Sequence, residues 1–151
     1  MPRSANPLPF PPSPGTYVLV FELSHPLTMT AGRLGPVTIP PGSALYVGSA
    51  HGPGGLHARL ARHLRAEKKP HWHVDALTAR ARVVEVWWDA SAQRLECGWA
   101  AVLRGLPEVE QPAPGFGASD CACVTHLFSL PGAARAEAWA ALRRPQRTAA
   151  G

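Results

Sequence analysis

The sequence predicts an α+β domain built on a small, mainly antiparallel sheet flanked by helices. Three observations carry this. Two runs rich in β-branched and aromatic residues, Thr16 to Leu23 and Ala44 to Ser49, are separated by a stretch dense in proline and glycine, which joins strands as a hairpin rather than through a helix. Leucines then recur every four residues at Leu56, Leu60 and Leu64, the spacing of one buried helix face. Farther on, Arg82 to Trp88 alternates Val84, Val86 and Trp88 with Glu85 and Trp87, a strand pattern. The succession of hairpin, helix, strand, helix and strand favours antiparallel pairing with helices laid on the sheet.

Taken in order, residues 1–14 contain six prolines and read as a flexible, extended arm. In Thr16 to Leu23 apolar side chains occupy both alternating phases, so this strand is expected to be covered on both faces. The connection from Ser24 to Gly42 leaves room only for short extended pieces such as Pro36 to Ile39. After the second strand, the loop His51-Gly52-Pro53-Gly54-Gly55 leads into the leucine-striped helix. It should end at Lys68-Lys69-Pro70, because a residue preceding proline is pushed out of the helical region. His71 to Leu77 could open a short second helix. Ser91 is placed to cap a helix running to about Arg104, with Leu95, Trp99, Val102 and Leu103 as its stripe. Val124 to Leu130 reads as a last strand and Ala133 to Leu142 as an alanine-rich helix, followed by a disordered tail. The expected organisation is an arm over 1–14, a domain over 15–131, and a C-terminal helix with a basic tail over 132–151.

A chain of 151 residues holds one domain with a real core and is too short for two comfortable ones. Seventeen prolines and fourteen glycines mark frequent irregular segments. Fifteen Lys and Arg against ten Asp and Glu suit an anionic partner. Arg59, Arg62, Arg65, Lys68 and Lys69 are concentrated around one helix, with Glu67 as the only acid among them. At about 100° per residue, Arg59 and His63 fall on a shoulder of the leucine stripe, where they can reach the sheet edge. Arg62 and Arg65 point away from it, toward water or a long polyanion. Arg135, Arg143, Arg144 and Arg147 form a second basic cluster that reads as solvated tail. No apolar run approaches a membrane span of about 18 residues, and no continuous apolar segment of a secretory signal is expected. Three cysteines make a poor disulfide framework, which fits a reducing cytoplasm.

The chemistry-bearing residues cluster around the hairpin. Gly15-Thr16-Tyr17 and Tyr46-Val47-Gly48, followed by Leu56-x-x-Arg59-x-x-x-His63, resemble the two half-motifs and the arginine helix of the GIY-YIG endonuclease superfamily. Thr16 and Val47 stand where the family name has isoleucine. His71-Trp72-His73-Val74-Asp75, Glu96-Cys97 and Gly115-Phe116-Gly117-x-Ser119-Asp120-Cys121-x-Cys123-x-x-His126-Leu127-Phe128 are similar to a compact bacterial and archaeal branch of that superfamily, whose function is unassigned. That branch also occurs fused to DNA-repair glycosylases of the endonuclease III type.

The resemblance implies a metal-dependent endonuclease hydrolysing DNA phosphodiester bonds, in repair or processing, with DNA as partner and a repair protein as a further candidate partner. Tyr17 would then be general base or water-positioning group. A phenol titrates at about 10, so a base role needs positive charge nearby, supplied by Arg59 and a metal. Tyr46 would hydrogen-bond the phosphate, Arg59 would stabilise charge growing on the phosphoryl oxygens, and His63 would orient the phosphate or assist Tyr17. Glu96 would anchor one Mg²⁺ or Mn²⁺ ion, since such ions keep several waters and take few protein carboxylates. Arg62, Arg65, Lys68, Lys69, His71 and His73 would contact nucleic acid, with His71, His73 and Asp75 lining the groove.

Two other readings compete. One is a catalytically silent nucleic-acid-binding module on the same fold. The other is an interaction domain stabilised by structural Zn²⁺, for which His71, His73, Cys97, Cys121, Cys123 and His126 are candidate ligands, although their spacing matches no common zinc pattern closely. Each residue also has a plainer role open to it: packed aromatic for the tyrosines, surface pairing for Arg59 and Glu96, core filler for the cysteines.

Overall fold

A computed structural model describes residues 9–65, 68–118 and 123–150; Ser119, Asp120, Cys121 and Glu67 lie outside the described residues. The two-phase apolar run becomes β1 (Gly15–Leu23). The proline- and glycine-rich connection folds a small hairpin, β2 (Leu27–Thr30) with β3 (Pro36–Ile39), and the chain returns as β4 (Gly42–Ala50). β1 and β4 pair antiparallel without interruption, from Gly15 opposite Ala50 to Leu23 opposite Gly42. The leucine-striped helix is α1 (Gly55–Leu64), followed by α2 (His73–Thr78), β5 (Val83–Asp89) and α3 (Glu96–Arg104). The described chain closes with β6 (Leu127–Leu130), α4 (Arg135–Ala141) and β7 (Gln146–Ala149). All five strands of the main sheet pair antiparallel, in the order β6-β4-β1-β5-β7. The fold is α+β, as the sequence predicts.

β1 is central, and its two phases feed two separate cores. Tyr17, Leu19 and Phe21 pack with Leu56 and Leu60 of α1 and Val74 and Leu77 of α2. Val18 and Val20 pack on the opposite face with Trp87, Trp99, Leu103 and Ala138. From Tyr17 to Phe21 the apolar residues of β1 are therefore all buried, which explains why the run shows no polar alternation. The tryptophans of β5 separate in the same way. Trp87 is buried on the α3 and α4 side, whereas Trp88 packs with the opposite core.

Several boundaries differ from the sequence expectation, each for a local reason. α1 stops at Leu64, because Arg65 adopts extended backbone and Lys68 Nζ donates to the carbonyls of His63 and Arg65, satisfying acceptors at the helix end. α3 begins at Glu96 rather than after Ser91. Ser91 Oγ instead accepts from Gln93 N in a turn. β6 starts at Leu127, since Thr125 Oγ1 bonds the Ala113 carbonyl and accepts from Leu127 N. The tail expected to be disordered forms β7 on the sheet edge, where Trp88 Nε1 donates to Thr148 Oγ1 and Arg147 pairs with Glu85 at 3.0 Å.

The arm needs a similar correction over its described part. α1 has no side-chain N-cap, and its first amides donate to the arm: Leu56 N to Ser13 O and His57 N to Pro11 O. Phe10 is buried and meets Trp88 edge-on at 6.0 Å. Phe10→Ala is accordingly expected to cost about 3 kcal/mol in urea-induced unfolding, against nearly nothing for a residue on a free arm.

Candidate active site

The register of β1 on β4 sets Tyr17 opposite Gly48 and Tyr46 opposite Leu19. A Cβ at position 48 would overlap the Tyr17 phenol, so glycine there is what lets the ring lie flat across the neighbouring strand. Tyr46 is seated likewise against Gly117, where a Cβ would come within 2.8 Å of its ring and where φ is +68°. Positive φ favours glycine independently of the space. Both phenols are thus positioned by residues without side chains.

Behind the phenols stands α1. The Tyr17 hydroxyl lies 2.6 Å from His63 Nε2, and both residues are almost wholly buried, at 1% and 2% exposure. Burial, reinforced by the positive charge of Arg59, pushes the His63 pKa down to about 3, so the imidazole is neutral near neutral pH. Among the described residues, His63 Nδ1 has no hydrogen-bond partner. A neutral ring accepting from Tyr17 at Nε2 carries its proton on Nδ1, whereas the opposite tautomer would take away the phenol's acceptor as well. The first tautomer leaves less unsatisfied. Burial raises the Tyr17 pKa strongly, with Arg59 opposing it, and burial likewise raises that of Tyr46. For the protein alone desolvation outweighs the nearby charge of Arg59, so a phenolate at Tyr17 would need the metal as well as Arg59.

Arg59 is half-buried, donates from Nη1 to the Ser49 carbonyl at 2.9 Å, and lies over the Trp72 ring at 4.4 Å. Among the described residues it has no carboxylate partner within salt-bridge distance. Its neighbour one turn on differs in kind. Arg62 makes a two-pronged contact with Asp75, both bonds at 2.9 Å, and also donates to the Lys69 carbonyl. The outward placement of Arg62 is thus corrected: at 18% side-chain exposure it is an internal ion pair, also over Trp72 at 4.3 Å. Burial raises the Asp75 pKa, but the hydrogen bonds from Arg62 and from Trp72 and His71 N–H hold it down at about 2. Asp75 fastens α2 rather than lining a substrate groove.

Tyr46, Ser49, Arg59, Arg94, Glu96, Cys97, Gly117 and His126 line one cleft of about 320 Å³. Tyr46, at 7% exposure, is the phenol on its wall, while Tyr17 lies behind. Glu96, the first residue of α3, brings a carboxylate to the same wall, with Oε2 3.1 Å from His126 Nδ1. The approach to α3 is fixed from β1, as Thr16 Oγ1 accepts from Leu95 N. This bond gives Thr16 a role of its own. A larger hollow of about 460 Å³ between α1, the end of α2 and Ala150 is lined by Arg65, Arg80 and Arg82 but, among the described residues, holds no carboxylate or phenol.

The remaining basic calls divide. Arg65, Lys69 and His71 are exposed, whereas Lys68 caps α1 and His73 Nδ1 accepts from Gly117 N at 2.9 Å, so His73 supports the loop under Tyr46. His63, expected on the shoulder of α1, replaces Leu64 in the buried stripe. The sequence reading missed Trp72 as the platform shared by both guanidiniums, and Ser49 and Arg94 on the cleft wall. The run of two histidines around Trp72 drew attention to its neighbours instead.

The described zinc candidates also separate. His71 and His73 stand apart, while donor atoms of Cys97, Cys123 and His126 lie within 4.8 Å of one another. No helix among the described residues is long and apolar enough to cross a membrane. A family model described as domain of unknown function DUF123 matches residues 16–145. No curated protein and no solved structure matches the chain.

Proposed function

The chain belongs to the DUF123 family, and we propose that it is a metal-dependent endonuclease of the GIY-YIG kind that hydrolyses DNA phosphodiester bonds in repair or processing. The observation that carries this reading is the convergence of Tyr46, Arg59 and Glu96 on one cleft, from β4, α1 and α3. These are the phenol, guanidinium and carboxylate that phosphodiester hydrolysis uses.

Arg59 binds and orients the scissile phosphate. Its Ser49 bond and its stacking on Trp72 hold the guanidinium in place before substrate arrives, which is how a charged donor contributes most to a transition state. Tyr46 offers a neutral hydroxyl to a phosphate oxygen. Tyr17 and His63 form a buried neutral pair behind Arg59, positioning it without cancelling its charge. The exposed Arg65 and Lys69 extend the positive field along the flanking strand, and the exposed His71 offers it a further hydrogen-bonding group.

The donor set fits a magnesium or manganese ion on one condition. Among the described residues, Glu96 is the only carboxylate on a wall that also carries Arg59 and Arg94, so the described lining favours an anion over a dication. A substrate phosphate would supply the missing negative charge, as such ions commonly require. When bound, the ion would acidify a water and offset phosphoryl charge.

The test is a panel of plasmid, single-stranded, branched and base-damaged DNA incubated with each divalent ion. Cleavage is expected with magnesium or manganese, and Tyr46→Phe, Tyr17→Phe and Glu96→Gln should each reduce it while the circular dichroism spectrum is retained. The burial of Tyr17 favours a second reading, in which the cleft holds phosphate without cutting. Affinity that falls with salt, with intact DNA under every ion, would identify that case.

A further inference from the structure

We propose that Cys97, Cys123 and His126 form a zinc site that fastens the loop before β6 to the start of α3. Cys97 lies far in the chain from Cys123 and His126, which share one segment, yet the fold gathers the three ligand atoms within 4.8 Å of one another. A tetrahedral zinc ion, with bonds of about 2.3 Å to sulfur and 2.0 Å to nitrogen, requires donor separations of roughly 3.5–3.8 Å. An inward movement of about 1 Å closes that difference.

The framework around the donors is already built. His126 is buried, its amide donates to the Phe116 carbonyl, and its carbonyl accepts from Val47 N. The backbone around Cys123 is held by the bond from Gly115 N to Val124 O. Cys97 stands at the second position of α3, one residue from Glu96.

Donor chemistry selects the metal. Two thiolates and an imidazole suit zinc and disfavour magnesium, which prefers oxygen ligands. The Glu96 carboxylate lies 3.1 Å from His126 Nδ1, so on this proposal the metal would be bound through Nε2. A carboxylate against the far nitrogen of a metal-bound histidine is the usual means of fixing its tautomer. Two thiolates also cancel the zinc charge, so the site adds no net positive charge to a cleft that already holds Arg59 and Arg94. Zinc would thereby position Glu96 through His126 whether or not the protein cleaves DNA.

Zinc content and metal spectra test this on the full chain without any substrate. The protein purified without added metal, then given one equivalent of zinc and passed over a desalting column, should retain it near-stoichiometrically. The cobalt-substituted protein should show a thiolate-to-cobalt charge-transfer band. Cys97→Ser, Cys123→Ser and His126→Ala should each weaken zinc affinity by more than about 100-fold. The cobalt spectrum of the unsubstituted chain needs no variant, so it reads the site even where a variant fails to fold. Failure to retain zinc, a cobalt spectrum without sulfur ligation, or undiminished affinity in all three variants would overturn the proposal. A Cys97–Cys123 disulfide that persists in protein purified under reducing conditions would overturn it too. None of these results depends on nuclease activity.

Discussion

Arg59→Ala is expected to lower the rate of metal-dependent DNA cleavage by about 100- to 1000-fold, the usual loss when one preorganised donor is removed from developing oxyanion charge. The same change should leave the unfolding midpoint in urea nearly where it was, because Arg59 is only half-buried and its carbonyl partner on Ser49 can turn to water. Arg59→Lys keeps the charge but loses the fork-shaped geometry and the indole stack, so it should recover only a small part of the rate. Arg62→Ala, one turn along the same helix, should behave in the opposite way. It leaves the buried Asp75 carboxylate without its ion-pair partner and should cost a few kcal/mol of stability, with cleavage by the surviving folded protein largely retained. Kinetics and unfolding measured on both variants separate the two roles, and an Arg59→Ala enzyme within about threefold of the parent rate would sink the assignment.

Stability should fall steeply on acidification, beginning as the pH drops below about 6.5, and His63 is the reason. In the folded protein its pKa is about 3, against 6.5 for an ordinary histidine, so between these values the unfolded chain binds a proton that the folded chain refuses. Stability is then fully present above about 6.5 and is lost as pH falls toward 3, by up to a few kcal/mol. Asp75 contributes in a lower window, since its pKa is held at about 2 against an ordinary 3.8. Its share disappears only as pH falls from about 4 toward 2. Urea unfolding measured from pH 7 to 4 therefore isolates His63. His63→Gln should flatten the profile over that range while lowering stability at pH 7, and an unchanged slope in the variant would show that the acid sensitivity arises elsewhere.

Much of the site was legible because it follows helix and strand periodicity. The leucine stripe placed Arg59 toward the strands of Tyr17 and Tyr46, and the unbroken apolar run of β1 announced a strand covered on both sides. The same stripe misjudged Arg62 and His63, since a helical wheel knows nothing of the partner that approaches it. Asp75 arrives from α2 to pair with Arg62, and the burial of Tyr17 draws His63 inward. The β7 strand escaped because Gln146, Arg147, Thr148 and Ala149 carry no apolar alternation; edge pairing there is a matter of backbone amides and carbonyls. The gathering of Cys97, Cys123 and His126 was equally hidden. It depends on where α3 starts and on how the loop before β6 lies, and neither has a period to read.

The cleft draws Arg59 from the helix on one side of the sheet and Glu96 from the helix on the other, while Tyr46 comes from the sheet itself. Its width is therefore gauged by an antiparallel ladder whose bonds break together, not by a hinge between separate bodies. Moving either helix away from the other means lifting it from the apolar core on its own face of the sheet, a costly local opening. On the proposed function, a substrate strand must therefore arrive already narrow or already exposed, and selection would rest on the shape it brings.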